Sequence, residues 1–167
     1  GSSMGGVVAL EIFRLRPHQV QSIAMANSWC YVENASERIS FIENQLANKT
    51  MQESASELVP GLFAKDTHKE YVQAGVRAEG AKNKEVFLAS WRSMFQVDFR
   101  DLIKDISCPL LLIGGAHDPV TPMFLLQDIH QRHALSRLVE LPDAAHFSHL
   151  DCPIEFNKHL KIHLRKA

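Results

Sequence analysis

The 167-residue chain lacks several features that would fix its class at once. Cysteine is scarce. Cys30, Cys108 and Cys152 are an odd number with no C-x-x-C pair, which excludes a disulfide framework and a cysteine zinc site. The thiols read as small core residues in a reducing, cytoplasmic setting. Neither sign of charge dominates: 18 Lys+Arg stand against 19 Asp+Glu, a formal net charge of -1. With no basic surplus for phosphate contacts, nucleic acid is not an expected partner. Apolar runs such as Pro109 to Ile113 fall far short of the roughly 18 residues of a membrane span, so no membrane partner is expected. H-E-x-x-H, G-x-G-x-x-G and Walker A patterns are all missing, which leaves zinc-protease and nucleotide chemistry without support. His130 with His133, and His159 with His163, have helical spacing, but no third ligand lies near either pair. No metal and no other cofactor is expected.

What is present is ordinary for a globular protein: 46% hydrophobic and 22% charged residues, enough for one domain with its own core. Val7 to Leu15 reads as a helix starting near Met4 and stopped by Pro17, and Val20 to Ala26 as a short strand bounded by Asn27-Ser28. Residues 34–95 carry four helical patterns and no strand. Asn34 with Glu37, Thr50 with Glu53, and Thr67 with Glu70 have capping-box spacing. Ile39, Ile42 and Leu46 should line one helix face, Met51, Ala55 and Leu58 a second, and Phe87, Trp91 and Met94 another. Pro109 to Ile113, ending at Gly114-Gly115, has the continuous apolar character of a strand buried on both faces. Thr121-Pro122 should open a helix running to about His133, with Thr121 as its cap. Arg137 to Leu141 is a further strand. A last helix should be capped by Asp151 and buried along Phe156, Leu160 and Leu164. The order is that of an α/β sheet protein with a helical cap.

Three loops carry the residues of nucleophilic catalysis. Gly1-Ser2-Ser3-Met4-Gly5 is a G-x-S-x-G, the pattern of a serine on a strained strand-to-helix turn. Glycines two positions either side avoid a Cβ collision, and the helix behind offers the Met4 N–H and a partial positive charge. In an alternative reading, Gly1-Ser2-Ser3 is an expression-tag remnant ahead of Met4. Asp118, in Gly114-Gly115-Ala116-His117-Asp118-Pro119-Val120-Thr121-Pro122, follows the buried strand, at the edge where open α/β sheets gather ligands. As a lone feature it is a turn residue. His146 follows the next strand, with His149 and His117 as rivals for the base and Asp98 and Asp101 as rivals for the acid. Jointly, Ser, Asp and His come in the chain order of one hydrolase type, each after a strand.

These segments resemble the α/β-hydrolase superfamily. The likeness is carried by Gly1-Ser2-Ser3-Met4-Gly5-Gly6 running into a Val/Ala/Leu helix, Gly114 through Pro122, and Ala145-His146-Phe147-Ser148-His149-Leu150 with Pro153. It is nearest to the small esterase, enol-lactonase and C–C hydrolase branch. The resemblance implies a mainly parallel sheet over residues 1–33 and 96–167 and a helical lid over 34–95. It implies Ser3 as nucleophile, Asp118 as acid, His146 as base and Met4 as one oxyanion-hole donor. Trp29, Val120 and Phe147 are the substrate-binding candidates; Trp29 follows a strand end directly.

Two departures stand out. Ala145 replaces the glycine usual before the base. The family's amino-terminal strands, and the loop giving the second oxyanion donor, have no counterpart ahead of Gly1. The function expected is hydrolysis of a small-molecule ester or lactone through an acyl-enzyme. C–C bond hydrolysis, acyl transfer, or a noncatalytic ligand-binding role are the alternatives. An open sheet edge where those strands belong would invite homo-oligomerisation and leave the isolated chain inactive.

Overall fold

The computed structural model describes residues 1–165. Its elements run α1 (Met4–Leu15), β1 (Ile23–Ala26), α2 (Ala35–Leu46), α3 (Met51–Leu58), a 3-10 turn (Val59–Leu62), α4 (Lys69–Gly80), α5 (Lys84–Phe95), α6 (Arg100–Lys104), β2 (Leu110–Gly115), α7 (Phe124–Arg132), β3 (Arg137–Leu141), α8 (Ser148–Asp151) and α9 (Pro153–Leu164). The sheet is parallel, in the order β1-β2-β3. Ile23 is opposite Leu110, and Leu111 opposite Arg137. Ser2 adds a parallel bridge to Ala26 beyond β1.

β2 is buried at every position, as its unbroken apolar run requires. Alternation sends Leu110 and Leu112 to one face, among Leu10, Phe13, Ile103, Leu126 and Ile129. Leu111 and Ile113 face the other way, with Leu141, Ala144, Phe156 and Leu160. The sheet is thus covered by α1, α6 and α7 on one side and by α9 on the other. β1 is shorter than expected. Ile23 N–H donates to the Pro109 carbonyl, and Pro109 has no N–H to extend the ladder, so Val20 falls outside the strand. Leu164 is also not buried; it is 58% exposed.

The helices between α2 and α5 contain no strand and leave the core between two paired residues. Tyr31 bridges Asp98, and the Phe99 N–H donates to the Cys30 carbonyl at 2.9 Å. Only the Thr50–Glu53 capping box forms. Asn34 sits in the left-handed region (φ 56) and makes no side-chain cap. His68, not Thr67, precedes α4. Leu58 is exposed, while Met51 and Ala55 are buried as expected.

Gly1, Gly5 and Gly6 divide in a way the motif does not foretell. A Cβ on Gly1 would lie 2.0 Å from the Gly5 carbonyl oxygen, and one on Gly6 would meet Ser28 Oγ at 2.3 Å and Ser28 Cβ at 2.6 Å. A Cβ on Gly5 would meet nothing within 4 Å, so the collision expected there is absent. Close approach of α1 to the chain after β1 needs Gly6. Gly6→Ala should destabilise by about 1–3 kcal/mol through overpacking. Gly5→Ala, in open space and with φ below zero, should be neutral or stabilising by up to about 1 kcal/mol. Urea unfolding of the two variants checks the contrast; equal effects would contradict it.

Candidate active site

The strand ends set the site. Ser3 follows the Gly1–Ser2 segment, Asn27 follows β1, Asp118 follows β2, and His146 follows β3, all at the carboxyl edge of a parallel sheet. Ser3 has φ 52 and ψ -121, a conformation that L residues rarely adopt. It persists because its peptide is held on both sides. The Ser3 N–H donates to the Ala26 carbonyl (2.9 Å), and the Ser3 carbonyl accepts from Gly6 N–H (2.9 Å) and Ser28 Oγ (2.8 Å). Met4, the first residue of α1, has no acceptor for its N–H among the described residues. The Ser3 hydroxyl likewise makes no hydrogen bond there, so the expected Ser3–His146 hydrogen bond is not formed. Such contacts are commonly loose in free enzymes.

Asp118 is 5% exposed and receives five donors. Its Oδ1 accepts from Val120 N–H (2.8 Å) and Thr121 N–H (2.9 Å). Its Oδ2 accepts from Asn27 Nδ2 (2.8 Å), the Thr121 hydroxyl and His146 Nδ1 (2.9 Å). Burial pushes the carboxyl up, but the bond and charge of His146, with the Thr121 hydroxyl and N–H, outweigh it and hold it at about 2. An ionised carboxylate can only accept, so Nδ1 of His146 carries the proton. In the neutral imidazole that leaves Nε2 as a free base.

Two expected helix caps are not formed. Thr121 does not cap α7, which begins at Phe124; its hydroxyl and N–H are drawn to Asp118 instead. Asp151 does not cap α9, whose cap is Cys152. Its carboxylate is occupied by the Ala145 N–H and Thr67.

The rivals stand elsewhere. His117 is exposed. His149 lies against Phe147 and Phe156, its Nδ1 buried without a partner and its pKa lowered by burial. Asp98 is half exposed and paired with Arg100, and Asp101 is exposed and paired with Lys104.

Asn27 was not legible as a site residue. It is fully buried in the left-handed region (φ 48). Its Nδ2 reaches both Asp118 and the Ala145 carbonyl (3.0 Å), its Oδ1 accepts from Ser148, and its N–H donates to Ile113. The one available signal was an asparagine directly after a strand, a residue type that tolerates this conformation.

A cavity of about 760 Å³ lies between the helical segment and the core. Trp29, Phe87, Trp91 and Phe95 form an aromatic wall, and Pro119, Val120 and Thr121 bring it to the acid loop. Trp29 and Val120 therefore both belong to the cavity lining. Phe147 is not part of that lining; its ring packs on Phe63, centroids 4.5 Å apart. An open groove of about 540 Å³ along α9 contains none of these residues.

With this geometry in hand, the chain matches the family model described as "Alpha/beta hydrolase family" over residues 1–159. It is 25% identical over 160 residues to 3-oxoadipate enol-lactonase 2 of Acinetobacter baylyi, covering 94% of this chain and 59% of the relative. It is 27% identical over 173 residues to a pimeloyl-[acyl-carrier protein] methyl ester esterase of Nitrosomonas europaea, covering 93% and 66%. The crystal structure of a hydrolase from Pseudomonas aeruginosa superposes with a TM-score of 0.87 at 26% identity, over 98% of this chain and 63% of that one. The chain thus spans about 60% of the length of the relatives it matches. Among the described residues, no helix is long and apolar enough to cross a membrane.

The state of Asp118 predicts an acid transition. A carboxyl held below its ordinary 3.8 contributes stability that is fully present above that value. That contribution is lost as pH falls from 3.8 towards about 2. Urea unfolding across this range should show the loss, and Asp118→Asn should flatten that part of the profile. An unchanged acid profile in the variant would show that Asp118 is not the group responsible.

Proposed function

The chain belongs to the alpha/beta hydrolase family, and on that premise we propose that it is a serine hydrolase acting on a small carboxylic ester or lactone. The observation that carries the proposal is the buried His146–Asp118 pair, on the same sheet edge as a serine held at positive φ. The names of the enol-lactonase and methyl ester esterase relatives support the same bond class.

In this reading His146 Nε2 takes the proton of the Ser3 hydroxyl as Ser3 Oγ attacks the carbonyl carbon. The developing oxyanion is met by the free Met4 N–H at the head of α1, where the helix dipole adds favourable charge. His146 then returns the proton to the leaving alcohol, and the C–O bond of the ester breaks. Water, deprotonated by His146, releases the acid from Ser3 and regenerates the hydroxyl. Asp118 stays ionised throughout, fixing the imidazole tautomer and stabilising the imidazolium. The helices from α2 to α5 serve as the lid, with the aromatic wall taking an apolar acyl or alcohol group.

The test is labelling by a fluorophosphonate probe together with hydrolysis of p-nitrophenyl acetate by the full-length protein. Ser3→Ala should abolish both. Asp118→Asn should lower turnover by about 10⁴ through the wrong tautomer, with folding retained at neutral pH. Full activity in Ser3→Ala would overturn the assignment.

A further inference from the structure

Asp151 takes no part in the chemistry above, yet its carboxylate joins two separate parts of the chain. Oδ2 accepts the Ala145 N–H at 2.8 Å, the peptide directly before the base. Oδ1 accepts the Thr67 hydroxyl at 2.6 Å, from the turn ahead of α4. Neither oxygen pairs with a cation among the described residues. Both are spent on fixing position.

The neighbouring bonds act the same way. The His146 N–H donates to the Leu62 carbonyl at 3.0 Å, so two consecutive peptides of the base loop are held, one by Asp151 and one by the helical segment. Phe147 packs in a tilted arrangement on Phe63 of that segment. From below, Gly115 allows the loop to approach so closely that a Cβ there would lie 2.2 Å from the Ala145 carbonyl oxygen. A charged acceptor grips an N–H about twice as strongly as a neutral one, which makes Asp151 the firmest of these attachments.

We infer that Asp151 is a positioning residue for His146, and that Thr67 makes the helical segment part of the same hold. The inference rests on His146 being the base. Its consequence is that residues 59–67 form a strut for the base rather than a moving part of the lid. Small displacements of a catalytic group cost rate out of proportion to the binding lost.

The experiment uses the full-length protein with p-nitrophenyl acetate and the variants T67V, T67S, D151A and T67V/D151A. T67V and D151A should lower kcat by about 10- to 100-fold. KM should stay within about twofold, because no substrate contact is removed. T67S, which keeps the hydroxyl, should restore the rate. The double variant should be no slower than D151A, since both changes act through one carboxylate. The downfield Nδ1 proton resonance of His146 should broaden in D151A, a readout independent of turnover. Wild-type kcat with an unaltered resonance in T67V and D151A would overturn the inference, as would T67S as slow as T67V, or additive losses. If D151A fails to fold, T67V and T67S decide on the same criteria. Activity retained in Ser3→Ala would sink the nucleophile assignment alone, and the resonance would still judge Asp151.

Discussion

The buried carboxylate of Asp118 is the constraint on which the rest of the site depends. A carboxylate out of water is costly unless its lone pairs are filled. Here five donors fill them, from the acid loop itself, from Asn27 after β1 and from His146 after β3. Three of the donors belong to the acid loop and one comes from each of the other two strand ends, so satisfying one charge aligns all three. The cause runs from packing to chemistry. Parallel strands bring the ends together, and the ionised acid then leaves His146 only one tautomer to adopt.

Strain is placed where this frame can enforce it. Ser3 and Asn27 both hold a positive φ without being glycine, and both directly follow strand segments. Their peptides are tied to neighbours: Ser3 to Ala26, Gly6 and Ser28, and Asn27 to Ile113. Gly6 permits the contact that brings Ser28 to the Ser3 carbonyl. Tight packing of α1 on the chain after β1 therefore maintains the turn that presents the serine hydroxyl and the Met4 N–H.

The sheet and the loops that carry Ser3, Asp118 and His146 were legible in the sequence because they depend on local signals. An unbroken run from Leu110 to Ile113 can be little but a buried strand; Asp118 and His146 each follow a strand, and Ser3 sits in a recognisable G-x-S-x-G. What misled were polar residues with two competing partners. Thr67, Thr121 and Asp151 all have the type and spacing of helix caps. In the fold each is drawn to another partner instead: Thr67 to Asp151 from 84 residues away, Asp151 to the Ala145 N–H, and Thr121 back to the buried Asp118. A cap is worth about 1 kcal/mol and is made within a few residues. A buried carboxylate or an aligned loop peptide offers a stronger bond, but only once the tertiary structure exists. Local spacing cannot show that competition.

Asn27 shows why the centre needs an amide rather than a second acid. Its side chain must donate to Asp118 and to the Ala145 carbonyl while accepting from Ser148. Only a group with both functions satisfies all three. A carboxylate at this position could donate to neither, and it would set a like charge against Asp118 in a buried setting. One of the two acids would then take up a proton, and the ionised state that fixes the His146 tautomer would be shared between them. With asparagine, the pair holds one negative charge, shared over the Asp118 carboxylate whose Oδ2 faces the imidazole. The same side chain that bridges β1 to the acid and base loops thus keeps the electrostatics of the pair simple enough to leave Nε2 of His146 as the free base.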